Sequence, residues 1–448
     1  MIIDLVLTNA KAYLEKEIVD CSIAVEDGEI TKIGRETNMP NADERINLGN
    51  LLVLPGLIDC HVHLRDEGKS YKEDFYSGTA AAAAGGITTV LDMPNNDPVT
   101  MSVETLRNRM RIAERKALVN VGFYSAFPYN LDNINAIVAQ GAVAFKLFMA
   151  SKIGGLNIDD DTALLEALKK AGDANVPVAV HAEDKAIIST AEQKFKRAKR
   201  EDAKAFLAAH SEQAELKAMD RVLNLTANSD VALHFCHVTI KDGLDFISKA
   251  KVAGRKVTCE VTPNHLLLSN ADFTHRGPLL AVMPPLRSVA NVEALWKGIS
   301  DGTVDILASD HAPHSLEEKT ANSIWEAKVG YPGLETMLPL LLTAHRKNRL
   351  SLDRLVSLLA IRPTEIFNLK GKGRLRHGCK ADLVAIDYNK KFKIDASKFH
   401  SKAKFSPYDG WDVQGKPVKT FVRGQLVFDE GEILAKAGSG EILRREAE

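Results

Sequence analysis

Between residues 55 and 370 the chain repeats one pattern eight times: a short apolar run of β-prone residues, followed in most cases by a helical stretch. The strand-like runs are Leu57–His61, Thr88–Asp92, Val119–Ser125, Ala144–Phe148, Val178–His181, Ala232–His237, Val257–Val261 and Ile306–Ser309. Helical periodicity falls between most of them, at Asp74–Ala84, Val103–Lys116, Thr162–Ala174 and Leu244–Ala253. A helix between two strands returns the chain to the edge it left, so successive strands lie parallel. Eight such units predict an α/β fold closed as a (β/α)8 barrel rather than an open sheet.

The flanking stretches read differently. Ile2–Leu7, Ser22–Val25 and Ile30–Ile33 are short β runs, with Asp27-Gly28 as a hairpin turn. Leu383–Asp387 and Thr420–Val422 repeat the style near the other end, where Arg423-Gly424 turns into Gln425–Phe428. The tail Arg444-Arg-Glu-Ala-Glu448 reads as frayed.

Composition narrows the function classes. Of 448 residues, 45% are hydrophobic and 26% charged, and the formal net charge is -1, so no field favours nucleic acid or an anionic membrane. No apolar run is long enough to span a bilayer; Ala80–Ala84 is helix-forming alanine that stops at Gly85-Gly86. The start carries Asp4 and no basic lead, which reads as a strand and not a signal peptide. Five scattered cysteines, with no Cys-x-x-Cys pair, predict free thiols and a cytoplasmic location.

Function in such a barrel sits at the C-terminal ends of the strands, and the chemically loaded residues fall there. His61 and His63 leave the first strand two residues apart, on one face. Lys146 lies on the fourth strand, His181 ends the fifth, His237 the sixth, and Asp310 follows the eighth. Four histidines and an aspartate at one mouth form a metal-site composition. Taken singly, each has a plainer role: a satisfied core histidine, or a helix cap at Asp310. Lys146 is the odd member, since an ammonium repels a dication. Carboxylation of its amine would turn it into a carbamate able to bridge two metals.

Several segments together carry a resemblance: Asp59-Cys-His-Val-His-Leu-Arg65, Gly85-Gly-Ile-Thr-Thr89, Asp92-Met-Pro-Asn95, Cys259-Glu-Val-Thr-Pro263 and Ser309-Asp-His-Ala-Pro-His314. They resemble the cyclic amidohydrolases of the amidohydrolase superfamily and, within it, the dihydroorotases, over about residues 1 to 430. The resemblance implies a barrel over 55–370. It also implies a small β-sandwich built from 1–54 and 371–448, and two Zn2+ per chain bridged by carboxylated Lys146. His61 and His63 would hold one ion, His181 and His237 the other, with Asp310 as ligand and proton shuttle. It implies reversible hydrolysis of (S)-dihydroorotate to N-carbamoyl-L-aspartate, in UMP biosynthesis.

Arg65 and Asn95 match the positions that bind the substrate carboxylate in dihydroorotases. His314 matches a second substrate contact, and Gly330 lies where a loop backbone touches the pyrimidine ring. A guanidinium two residues past His63 suits bidentate capture of a carboxylate, and dihydroorotate carries one where hydantoin and allantoin do not. The plainer role for Arg65 is a salt bridge with Asp66 or Glu67.

Two departures stand out. Asn264 occupies a position usually held by histidine and is not counted as a ligand. Met283 occupies one usually held by Asn or Arg, and a thioether cannot replace that hydrogen bond; Arg287 is the candidate substitute. Met283 keeps an allantoinase, or a hydantoinase or dihydropyrimidinase, as the alternative. A non-catalytic family member is disfavoured because every metal-ligand position is retained. The expected partner is a small-molecule substrate. Homo-oligomerisation stays open, as does association with aspartate transcarbamoylase, known for some members of the resembled family and indicated by nothing in this sequence.

Overall fold

The computed structural model describes residues 2–445. Eight strands, Leu57–Val62, Ile87–Asp92, Asn120–Ala126, Ala144–Phe148, Val178–His181, Leu233–Phe235, Val257–Val261 and Ile306–Leu307, pair in sequence order. All seven pairings are parallel. The first and last strands meet through a bridge between Val62 and His311, and the His63 N–H donates to the His311 carbonyl at 2.8 Å. Asp59 strengthens the seam. Its buried carboxyl accepts from the backbone N–H of Ser309 at 3.2 Å and of His61 at 3.1 Å.

Two strands are shorter than the sequence predicts. The sixth ends at Phe235 rather than His237, and the eighth at Leu307 rather than Ser309. His237 and Asp310 take left-handed backbone conformations, with φ of 35° and 48°. That turn ends ladder pairing and re-aims both side chains. The fourth, fifth and seventh strands match the predicted limits. Helix Asp161–Asp173 starts one residue early because Asp160 caps it, accepting from Thr162 N–H at 2.9 Å.

The terminal segments join in a nine-stranded sheet. Leu52–Pro55 lies between Ile2–Leu14, in parallel pairing, and Leu383–Lys393, antiparallel. Backbone hydrogen bonds thus weld the two ends of the chain immediately before the barrel begins. The alanine run has a packing reason: helix Phe75–Ala84 is buried almost throughout, and Thr420 of the terminal sheet donates to the Ala83 carbonyl at 2.7 Å. Only small side chains allow that closeness on two faces. Leu443 N–H donates to the Val121 carbonyl at 2.8 Å and Arg444 faces Glu114 at 3.8 Å, so the tail is tied to the barrel further than the sequence predicts. Residues 446–448 of that tail lie outside the described residues. Among the described residues no helix is long and apolar enough to cross a membrane.

Candidate active site

One cavity of about 370 Å³ opens at the C-terminal mouth of the barrel. His61, His63, Arg65, Asn95, Lys146, His181, His237, Asp310, His314 and Gly330 all line it. The chain therefore brings together every metal-ligand and substrate-contact position named from sequence, while Arg287, the candidate substitute at Met283, is not among the cavity residues. Arg65, His237 and Asp310 have positive φ, of 63°, 35° and 48°. Left-handed backbone is costly for residues with a Cβ and persists where the surroundings over-determine it. Three such residues around one cavity mark it as a built site.

The nitrogen and oxygen spacings fit metal ions. His61 Nε2 and His63 Nε2 lie 3.4 and 3.3 Å from Asp310 Oδ1. His181 Nδ1 lies 3.1 Å from His237 Nε2. Two ligands at about 2.0–2.1 Å from a tetrahedral ion stand about 3.3–3.4 Å apart, so each set has the separation of neighbours on one ion. His61, His63 and Asp310 form a buried triad able to hold a cation. His237 Nδ1 is buried without a hydrogen-bond partner.

The second ring nitrogens of His61, His181 and His63 are held by partners that fix the tautomer. His61 Nδ1 contacts Glu260, which also accepts from His234 Nε2 at 3.2 Å. His181 Nε2 meets Glu183 at 2.9 Å, and His63 Nδ1 meets Asn95 Oδ1 at 2.7 Å. An acceptor behind each of these three rings draws the N–H outward and leaves a lone pair inward, as metal-ligating histidines require. Burial acts to raise the Glu260 carboxyl, but His61 and His234 outweigh it and hold it below the usual carboxylate range. The same opposition, with His61 and His63 as counterparts, lowers Asp310. Burial, reinforced by Arg65, brings His63 down to about 3, and burial with His181 and Lys146 nearby lowers His237 strongly. Lys146 is buried, and its Nζ donates to Cys236 Sγ at 2.9 Å.

Glu183 and Glu260 escaped the sequence reading. A signal existed for both: Glu183 follows His181 by two, and Glu260 is the lone acid in the apolar run Val257–Val261.

The other half of the cavity is cationic. Arg65 is buried, its Nε has no partner, and burial pulls its pKa down to about 10. Its Nη2 lies 3.2 Å from His314 Nε2. Gly330 has φ of 108°, and a Cβ there would sit 2.5 Å from the Ala312 Cβ, so only glycine lets this backbone line the cavity. Lys319, wholly buried and also unforeseen, ties the adjoining segments by donating to the carbonyls of Ala281 at 2.9 Å and Lys328 at 2.8 Å.

Arg287 does not replace the contact missing at Met283. Each of its three guanidinium nitrogens is committed elsewhere, to Thr239 at 2.9 Å, Glu215 at 3.0 Å and the His210 carbonyl at 2.6 Å, and it is not among the residues lining the cavity. Met283 itself lines the cavity, with Val282, Ile153, Ile188 and Phe148 as further apolar lining. Asn264 accepts from Tyr408 Oη at 2.9 Å and is not among the cavity residues.

A parallel eight-stranded barrel whose mouth gathers histidines, an aspartate and carboxylate-backed imidazoles defines a barrel hydrolase with groups able to hold metal ions. The chain belongs to the amidohydrolase family, whose sequence profile matches residues 52–427. A dihydroorotase of Methanosarcina acetivorans is 36% identical, over 98% of this chain and 95% of that one. A dihydroorotase of Methanothermobacter thermautotrophicus is 37% identical, over 99% and 98%. An L-hydantoinase of Paenarthrobacter aurescens is 34% identical, over 99% and 98%. Among solved structures, an L-hydantoinase (dihydropyrimidinase) from Arthrobacter aurescens superposes with a TM-score of 0.95 at 34% identity, covering 99% of this chain and all of that one.

Proposed function

We propose that this protein catalyses the reversible hydrolysis of (S)-dihydroorotate to N-carbamoyl-L-aspartate, in pyrimidine biosynthesis. The observation that carries the reading is the buried guanidinium of Arg65, under-partnered and in the same cavity as the metal-type constellation. A desolvated cation with a free Nε–H is a receptor for a carboxylate, and dihydroorotate carries one on its ring. The dihydroorotase relatives agree with it.

The proposal includes two Zn2+ per chain. His61 and His63 would hold one and His181 and His237 the other. Bound there, the ions would make water a nucleophile near neutral pH and polarise the amide carbonyl. Lys146 is proposed to be carboxylated: its amine nitrogen bonds the carbon of CO2 and loses a proton. An anion with two oxygens then replaces a cation among the four histidines. Asp310, held ionised, would accept the proton of the attacking water at its carboxylate and deliver it to the leaving ring nitrogen. Arg65, with Asn95 Nδ2, would orient the ring by its carboxylate, and the Gly330 backbone would border the ring.

A second reading has one observation in its favour. Met283 and its apolar neighbours leave part of the lining without hydrogen-bond donors, and an L-hydantoinase is among the relatives. Kinetics on dihydroorotate, dihydrouracil, hydantoin and allantoin in parallel decide between them. Dihydroorotate should give the highest kcat/KM; if hydantoin or allantoin does, the substrate assignment falls while the hydrolase remains.

A further inference from the structure

Lys72 reaches the cavity only through His314. Its Nζ lies 3.0 Å from His314 Nδ1 and 2.8 Å from Glu318 Oε1, inside a buried contact between the loops that follow the first and eighth strands. His314 has three further neighbours: the Val329 carbonyl 3.0 Å from Nε2, Arg65 Nη2 3.2 Å from Nε2, and Glu318 Oε2 3.5 Å from Nδ1.

A neutral imidazole has one N–H and one lone pair, so these contacts discriminate between tautomers. With the proton on Nε2, the Lys72 ammonium donates to Nδ1 and Nε2–H donates to the Val329 carbonyl. Both 3.0 Å contacts are then satisfied, and the longer 3.2 Å approach of Arg65 Nη2 is the one that sets donor against donor. With the proton on Nδ1, ammonium faces N–H and lone pair faces carbonyl, so both 3.0 Å contacts become repulsive, and only the longer approaches of Arg65 at 3.2 Å and Glu318 at 3.5 Å are served. Burial, with Arg65 and Lys72 beside it, depresses the His314 pKa strongly and keeps the ring neutral.

We propose that Lys72 is a positioning residue that locks His314 in the Nε2–H tautomer, so that His314 cannot accept from Arg65 and the guanidinium stays free for an anionic substrate. The inference rests on the carboxylate-binding reading of Arg65. The same lock holds the Val329 carbonyl, and with it the backbone leading into Gly330. Without Lys72, Glu318 becomes the nearest charged neighbour of Nδ1. It draws the proton there, Nε2 turns into an acceptor, and Arg65 is captured.

The test combines a spectroscopic readout with kinetics on the full-length enzyme. Long-range 15N–1H correlation spectra of histidine-labelled protein report each tautomer, with His314 assigned from His314→Gln. Wild type should show Nε2–H without substrate. Lys72→Met should show Nδ1–H, and Lys72→Met/Glu318→Gln, which removes the competing charge, should return Nε2–H. For Lys72→Met, KM on dihydroorotate should rise about ten-fold, the scale of one charge-assisted hydrogen bond. Its kcat should stay within about three-fold, and KM for dihydrouracil should change less than for dihydroorotate. An Nδ1–H signal in wild type, or an unchanged tautomer in Lys72→Met, overturns the proposal. So does a loss confined to kcat. If dihydroorotate is not a substrate at all, the functional reading fails, and the substrate-free spectra still decide the tautomer.

Discussion

Removing the Arg65 guanidinium should cost activity and gain stability at once. In the folded chain this group is buried, its Nε lacks a partner, and burial pulls its pKa well below the ordinary guanidinium value, to about 10. At 1.36 kcal/mol per pKa unit, that depression corresponds to a penalty on the order of 3 kcal/mol for keeping the cation in place. A substrate carboxylate would offset it with two charge-assisted hydrogen bonds of about 1.5–3 kcal/mol each. Losing about 3–4 kcal/mol of that binding lowers kcat/KM by roughly 10²–10³-fold. Arg65→Met keeps much of the side-chain volume, so the φ of 63° and the loop packing face little new strain. Steady-state assays on dihydroorotate and dihydrouracil, with thermal melts of the same preparations, measure both sides. The expected result is a large loss on dihydroorotate, a small one on dihydrouracil, and an unchanged or higher Tm. A fall in kcat/KM below about five-fold, or a lower Tm, would mean that Arg65 is a structural ion-pair residue and that the carboxylate argument is wrong.

Other outcomes follow from the same geometry. Glu260→Gln removes the anion behind His61 and should weaken divalent-ion affinity about 10–100-fold in chelator competition, with the secondary structure by circular dichroism intact; affinity within two-fold of wild type would count against its role. Purified protein should carry about two divalent ions per chain, zinc foremost, by elemental analysis, and Lys146→Ala should lose most activity and regain part of it with added short-chain carboxylic acids. Glu335 accepts from the backbone of His400 and Ser401, and burial pushes its pKa up to about 8. Between its ordinary value of 4.5 and about 8 the folded state holds a proton that the unfolded state has released. Its contribution is therefore complete below that window and is lost as pH rises through it. Glu335→Gln should flatten the pH dependence of stability there, by on the order of 1–3 kcal/mol in chemical unfolding at pH 8 relative to pH 5; an unaltered slope would refute it.

The barrel and its metal-type residues were legible because both obey short-range rules. Period-two geometry puts His61 and His63 on one face, and strand-end placement collects Lys146, His181, His237 and Asp310 without any knowledge of tertiary contacts. What the sequence hides is pairing across the barrel. Arg287 looks available for substrate, yet Glu215 and Thr239, many residues away along the chain, consume its donors. Glu260 looks like an ordinary buried acid until the strand order sets it behind His61. The strands stop short of their expected limits just before His237 and Asp310 for a related reason: local β propensity favours extended backbone, and the closed mouth imposes positive φ.

Lys72 and His314 show most sharply where sequence stops informing. They stand 242 residues apart, and only closure of the first strand against the eighth makes them neighbours. A motif can name His314 as a substrate contact, but whether its Nε2 donates or accepts is a property of the assembled loops. Two cations, one carbonyl and a more distant carboxylate converge on that ring, and only the Nε2–H form of a neutral imidazole satisfies both 3.0 Å contacts, leaving Arg65 as the one donor set against a donor. If Arg65 selects a carboxylate, it does so because Lys72 has already denied His314 the lone pair that would compete for it.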